Sequence, residues 1–132
     1  MSKVKSFFAA RYHSFGHAFR GWRYALRTQP NTWIHAFITV AVFLMAYWLK
    51  LPVRDWAVLL VMTAVVWAAE FFNTAIEAVV DLVSPEQQPL AKASKDAGAW
   101  AVLVAALIAV LVGLLILGPP LWARLLLVFA GY

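Results

Sequence analysis

The sequence predicts an all-α integral membrane protein, with one amphipathic surface helix followed by three membrane-spanning helices. Three observations predict it. The 132 residues are 64% hydrophobic and only 13% charged, above the roughly half-apolar composition of soluble domains. The apolar residues lie in long runs, and mean hydropathy is +0.79. Finally, six of the eleven basic residues (Lys3, Lys5, Arg11, Arg20, Arg23 and Arg27) precede the first long run, and no acidic residue does. A basic segment beside a span points to anionic lipid headgroups rather than nucleic acid. The length allows a single domain, residues 1–132. The absence of cysteine excludes disulfides and thiolate metal sites. No early apolar core with a small-residue cleavage site is present, so no removable signal peptide is expected.

Residues 4–28 read as the surface helix. Phe8, Tyr12, Phe15, Phe19, Trp22 and Leu26 recur in steps of four and three, which puts them within roughly 80° of arc. Basic residues and His13 and His17 lie elsewhere around the helix. The stripe suits a helix lying flat in the interface, or one packed on the spans. Pro30 disfavours helical geometry at Gln29, so the helix breaks at 28–31. The first span is 33–49, with Trp33, Tyr47 and Trp48 as interfacial anchors. After a turn at 50–55, the second span is 56–83. At about 1.5 Å per residue it is ~42 Å long, so one end projects beyond a ~30 Å core. A polar loop with Pro85 and Pro89 leads to the third span, 97–117, which is expected to stop at Gly118-Pro119-Pro120. Ala97, Ala101, Ala105, Ala109 and Gly113 form a small-residue row along it, a packing signal. The apolar tail 121–130 is too short to span.

Orientation follows from the basic residues. The N-terminal six plus Lys92 and Lys95 lie on one side, and Lys50, Arg54 and Arg124 on the other. The excess predicts a cytoplasmic N-terminus.

The chemistry lies in the second span. Glu70, Asn73, Glu77 and Asp81 share one arc of about 80° at helical spacing. An ionised residue in a span costs at least ~2.5–3.5 kcal/mol, so these carboxylates face a polar cavity or are neutralised. Lys92, Lys95 and Asp96 open the third span on the same side. Carboxylates hold Mg²⁺ through oxygen, lysine meets phosphate, and a deeper carboxylate takes a proton from a lipid hydroxyl. Phosphoryl transfer needs these parts. No glycine-rich phosphate loop is present. His35, near an interface, reads as a hydrogen-bonded structural residue.

The run Glu70-Phe-Phe-Asn73-Thr-Ala-Ile-Glu77-Ala-Val-Val-Asp81 resembles the signature of the prokaryotic diacylglycerol kinase family, which includes undecaprenol kinases. The resemblance continues in Pro89-Leu-Ala-Lys92-Ala-Ser-Lys95-Asp96 and Arg27-Thr-Gln29-Pro-Asn31, covering roughly 15–118. It implies a homotrimer in the bacterial inner membrane that phosphorylates a lipid alcohol with ATP and Mg²⁺, at sites shared between chains. It implies Glu70 as general base, and Glu77 as metal ligand with Gln29 at the position of a second, usually glutamate, ligand. Asn73 and Asp81 line the site. The nucleotide is met by His17, Gln29, Glu77, Glu86, Gln87, Gln88, Lys95 and Asp96. Pro89-Leu90-Ala91-Lys92 and Arg27-Thr28 look more like the undecaprenol branch, with diacylglycerol the alternative acceptor.

A different class, a proton- or ion-conducting oligomer, also uses intramembrane carboxylates. Against it, residues 56–69 offer no polar group beyond Thr63, so the polar site opens to one face only.

Overall fold

A computed structural model describes residues 2–86 and 88–130, and the chain is all-helical over them. Four helices follow in order: α1 (Ser2–Thr28), α2 (Pro30–Trp48), α3 (Val53–Val83) and α4 (Pro89–Phe129). The last three are each long and apolar enough to cross a bilayer.

The break between α1 and α2 is confined to Gln29, whose backbone is extended (φ −114°, ψ 107°). Pro30 then takes the first helical position, where its missing N–H costs nothing. Pro89 does the same for α4 after an extended Gln88. Each of these two spans therefore starts on a proline, a few residues ahead of its apolar run. Asp55 lies in the first turn of α3, where a negative charge complements the helix dipole.

The third apolar helix differs from expectation at its far end. It does not stop at Gly118-Pro119-Pro120 but continues through 121–129 as one helix with both prolines inside. The prolines forfeit two backbone donors. Beyond them the helical ladder resumes and closes with Ala130 N–H on Leu126 O at 2.9 Å, and unwinding would give up those bonds. The separate tail 121–130 is thus the last turns of α4.

α3 and α4 form the most extensive contact, an antiparallel pair. The face of α4 buried there includes Gly98, Val102, Ala105 and Leu117. Of the small-residue row, only Ala105 is buried, and Ala97 and Ala101 are exposed. Ala46, Leu49, Leu59 and Leu117 make an apolar cluster at the end holding the α2–α3 turn. The polar residues of α3 from Glu70 to Asp81 lie toward the other end.

Candidate functional site

Thr32, His35 and Thr39 are spaced three and four apart on α2, so they share one face. That face turns to α3. Trp67 Nε1 donates to Thr39 Oγ1 at 3.1 Å, and Thr32 Oγ1 donates to Glu70 Oε1 at 3.2 Å. His35 Nε2 lies 3.8 Å from Glu70 Oε2. Glu70 is 1% exposed and Thr32 fully buried. A carboxylate so placed needs polar partners, and α2 supplies them.

Two turns along α3, Glu77 accepts two amide hydrogen bonds. Gln29 Nε2 donates to Oε2 at 2.5 Å, and Asn73 Nδ2 donates to Oε1 at 3.0 Å. The Asn73 carbonyl oxygen is buried without a partner. It faces Gly98, where an added Cβ would come within 2.5 Å of it. Glycine at this point lets α4 approach the asparagine. Gln29, Asn31, His35, Glu70, Asn73 and Glu77 line one cavity of about 250 Å³ with apolar residues of α4.

A second, larger cleft of about 620 Å³ opens at the α3–α4 loop, lined by Asp81, Glu86, Gln88, Lys92, Lys95 and Asp96 among others. Lys95 Nζ donates to Asp81 Oδ1 at 2.5 Å. That bond, aided by the charges of Asp81 and Glu77, holds the Lys95 ammonium above its ordinary value against partial desolvation. Lys95 therefore stays cationic beside both carboxylates.

The sequence-predicted residues thus fall into two groups. Gln29, Glu70, Asn73 and Glu77 meet at the inner cavity, and Asp81, Glu86, Gln88, Lys95 and Asp96 at the loop cleft. Gln87 lies outside the described residues. His17 is on the exposed side of α1, 2.6 Å from Arg20 Nη2 through its Nδ1, and lines neither cavity. Sequence reasoning overlooked Thr32, while His35, read as structural, stands 3.8 Å from Glu70. The signal was present: Thr32, His35 and Thr39 are a polar row at helical spacing inside an apolar span.

Comparison with known proteins decides the lineage of this arrangement. The profile described as prokaryotic diacylglycerol kinase matches residues 16–117. The chain belongs to the prokaryotic diacylglycerol kinase family. It is 40% identical over 110 residues to the undecaprenol kinase of Bacillus subtilis, covering 83% of this chain and 89% of that one. It is 47% identical over 109 residues to a diacylglycerol kinase of Synechocystis, covering 82% of this chain and 62% of the relative. The diacylglycerol kinase of Escherichia coli is 30% identical over 96 residues, 73% of this chain and 79% of its own length.

As a member of the prokaryotic diacylglycerol kinase family, the chain is a multi-pass membrane lipid kinase with a nucleotide donor and a lipid acceptor. Phosphoryl transfer is commonly assisted by a divalent cation, and the residues present fit Mg²⁺. Among the described residues no three His, Cys, Asp or Glu side chains cluster as a closed metal cage. Mg²⁺ does not require one, since one or two carboxylates plus substrate phosphates suffice. Glu77 supplies carboxylate oxygen, and Asn73 keeps an unpartnered buried carbonyl oxygen beside it. Gln29 presents its NH₂ to Glu77. A half-turn of the amide would present its oxygen instead.

Proposed function

We propose that this kinase transfers the γ-phosphoryl group of ATP to the hydroxyl of undecaprenol. The observation that carries the reading is the pairing inside one cavity: a fully buried carboxylate, Glu70, deeper than a second carboxylate, Glu77, that is dressed by two amides. Glu70 accepts the proton of the lipid hydroxyl as it attacks. Thr32 fixes the Glu70 carboxylate by its hydrogen bond, and His35 stands beside it. Glu77, Gln29 and Asn73 would hold Mg²⁺, which would neutralise charge on the transferring phosphates. Lys95, held cationic by its hydrogen bond to Asp81, meets phosphate oxygens. Asp96, Glu86 and Gln88 at the loop cleft, with Gln87 in the same loop, contact the nucleotide.

Around this centre, the N-terminus is cytoplasmic, α1 lies as an amphipathic helix in the inner interface, and three chains assemble. The basic excess on the α1 side supports the orientation. The outward aromatic stripe of Phe8, Tyr12, Phe15, Phe19 and Trp22 supports the interfacial helix.

Undecaprenol is preferred because the Bacillus subtilis relative bearing that name is covered over 89% of its length. Diacylglycerol is the second reading, favoured by the 47% identity to the Synechocystis relative. An assay with radiolabelled ATP in lipid–detergent micelles, offering each lipid separately, tests the choice. Faster labelling of undecaprenol is expected, and faster labelling of diacylglycerol reverses the assignment. In the same assay Glu70→Gln is expected to lose about 10²–10⁴-fold in turnover, the range of a general base. Near-normal turnover removes Glu70 from that role.

A further inference from the structure

The last turns of α4 are too long and too apolar for the place a straight helix gives them. From Ala97 to Phe129 the only charged residue is Arg124. At ~1.5 Å per residue this stretch is on the order of 50 Å long. The bilayer core is ~30 Å thick, and even a tilt of about 40° leaves ~38 Å to accommodate. α2 sets the local scale. Its apolar run between Trp33 and Leu49 is only ~25 Å long, with tryptophans near both ends.

The position of the excess is fixed by contacts. Pro119 and Pro120 line a cleft with Lys50, Arg54 and Asp55 of the α2–α3 turn. Those charges belong at headgroup level. Arg124 sits 4.9 Å over the Trp48 ring, an interfacial pairing of cation and aromatic. Everything after Arg124 therefore lies beyond the boundary of the core if α4 stays straight. Yet Leu125, Leu126, Leu127, Val128 and Phe129 are consecutive, apolar and 38–84% exposed. At 100° per residue, five in a row cover the whole circumference of the helix.

That circumference names the occupant. A second protein chain would cover one face of this segment and leave the rest in water, whereas a helix lying at the acyl boundary puts most of its circumference in lipid. The bilayer already surrounds the spans of this same chain. The means of reaching it is in the sequence. Pro119 and Pro120 remove the N–H groups that would bond the carbonyls of Leu115 and Ile116, and Gly118 before them has nothing within 4 Å of its Cβ position. Three adjacent residues thus form a hinge at headgroup level.

We propose that residues 121–129 are an interfacial membrane anchor, bent at Gly118-Pro119-Pro120 so that the segment lies along the leaflet opposite the polar site. Arg124 marks its headgroup side, and the Arg124–Trp48 contact directs the bend over the end of α2. The segment lies beyond residues 16–117, where the family profile matches, so the anchor is an addition to the shared fold.

The chain has no cysteine, so single-cysteine variants carry one spin label each. Trp122→Cys, Ala123→Cys and each of Leu125→Cys to Phe129→Cys would be placed in vesicles of phosphatidylethanolamine and phosphatidylglycerol. Accessibility to oxygen and to a water-soluble nickel complex gives label depth. The anchor gives shallow depth that oscillates with a helical period over the labelled positions 122, 123 and 125–129. Nickel accessibility rising steadily toward 129 means a helix projecting into water and overturns the proposal. Oxygen accessibility rising steadily means a straight helix sunk into the core and overturns it too. Low accessibility to both reagents means cover by protein, which equally overturns the anchor. With Gly118→Ala, Pro119→Ala and Pro120→Ala combined, the oscillation is expected to disappear and nickel accessibility at 127–129 to rise several-fold. An unchanged profile in that stiffened chain removes the hinge.

Discussion

Glu77 accepts hydrogen bonds from two neutral amides, Gln29 and Asn73, and its charge is balanced by no cation in direct contact among the described residues. At this position in the chain Gln29 has oxygen to offer a metal but no charge. Ligand charge count tunes the affinity of a site for hard cations. Gln29→Glu is therefore expected to lower the Mg²⁺ concentration for half-maximal activity, and Glu77→Gln to raise it much further. In the metal-free protein the same Gln29→Glu change sets two carboxylates against each other. It is expected to destabilise the apo form and to make melting more Mg²⁺-dependent. A Mg²⁺ titration and apo melting temperature that are both unchanged would leave Gln29 as a cap on the α1–α2 break only. The residue scale was largely legible in the sequence, because a carboxylate inside a span is costly enough to stand out. Glu70 and Glu77 stand out that way and Asn73 by sharing their arc, and the structure brings the three to one cavity. Thr32 does not stand out, since a hydroxyl in a span is cheap and its value lies in Glu70, thirty-eight positions away along the chain.

At the scale of helices, two backbone features set how the spans meet. α4 passes α3 at Gly98, where a methyl group would come 2.5 Å from Asn73 Oδ1. Gly98→Ala forces the asparagine to rotate and so breaks its bond to Glu77. A loss of activity larger than the loss of stability is expected, and adding Asn73→Ala to it should give back the lost stability but not the activity. Thermal melts beside turnover measure both. The other feature is Lys50, which has φ 55°. It closes α2 in a cap of two hydrogen bonds, with Lys50 N–H to Tyr47 O at 3.0 Å and Leu51 N–H to Ala46 O at 3.1 Å. Glycine usually takes this place. A left-handed L-residue costs roughly 1–2 kcal/mol, partly offset by the ~0.5–1 kcal/mol entropy cost of glycine. Lys50→Gly should thus stabilise by about 0.5–1 kcal/mol, read from denaturation in mixed micelles. The helices themselves were legible from apolar runs, and so was the Pro30 boundary. The continuation of α4 past Pro119 was not, because proline's local cost is visible in sequence while the helical hydrogen bonds regained beyond it are not.

The whole chain leaves polar groups at span level without full cover. Asn31 is exposed, and Gln29 and His35 are half-buried on the wall of the inner cavity. Lipid tails offer such groups no partner. The small-residue row on α4 is also mostly open, with Ala97 and Ala101 exposed and Ala109 and Gly113 half-buried. A row of this kind admits a close backbone. Both features would be covered in the proposed assembly, whose number, three, is what the family resemblance implies. The chain's own geometry adds a sharper expectation. Glu70 lies on one cavity and Lys95 on another, so a nucleotide bridging them is most easily held where one chain's cavity faces its neighbour's cleft. Mixing inactive Glu70→Gln chains with inactive Lys95→Met chains, after joint unfolding and reassembly, tests this. If sites are shared, some mixed assemblies join an intact Glu70 from one chain to an intact Lys95 from another. Activity then returns in proportion to those assemblies, and mass in mild detergent is about three times the 14.7 kDa of the chain. If every site is built within one chain, no mixture contains a complete site and activity stays at the level of the parents. That result, together with a trimeric mass, would keep the assembly and assign the whole phosphoryl-transfer site to the single chain.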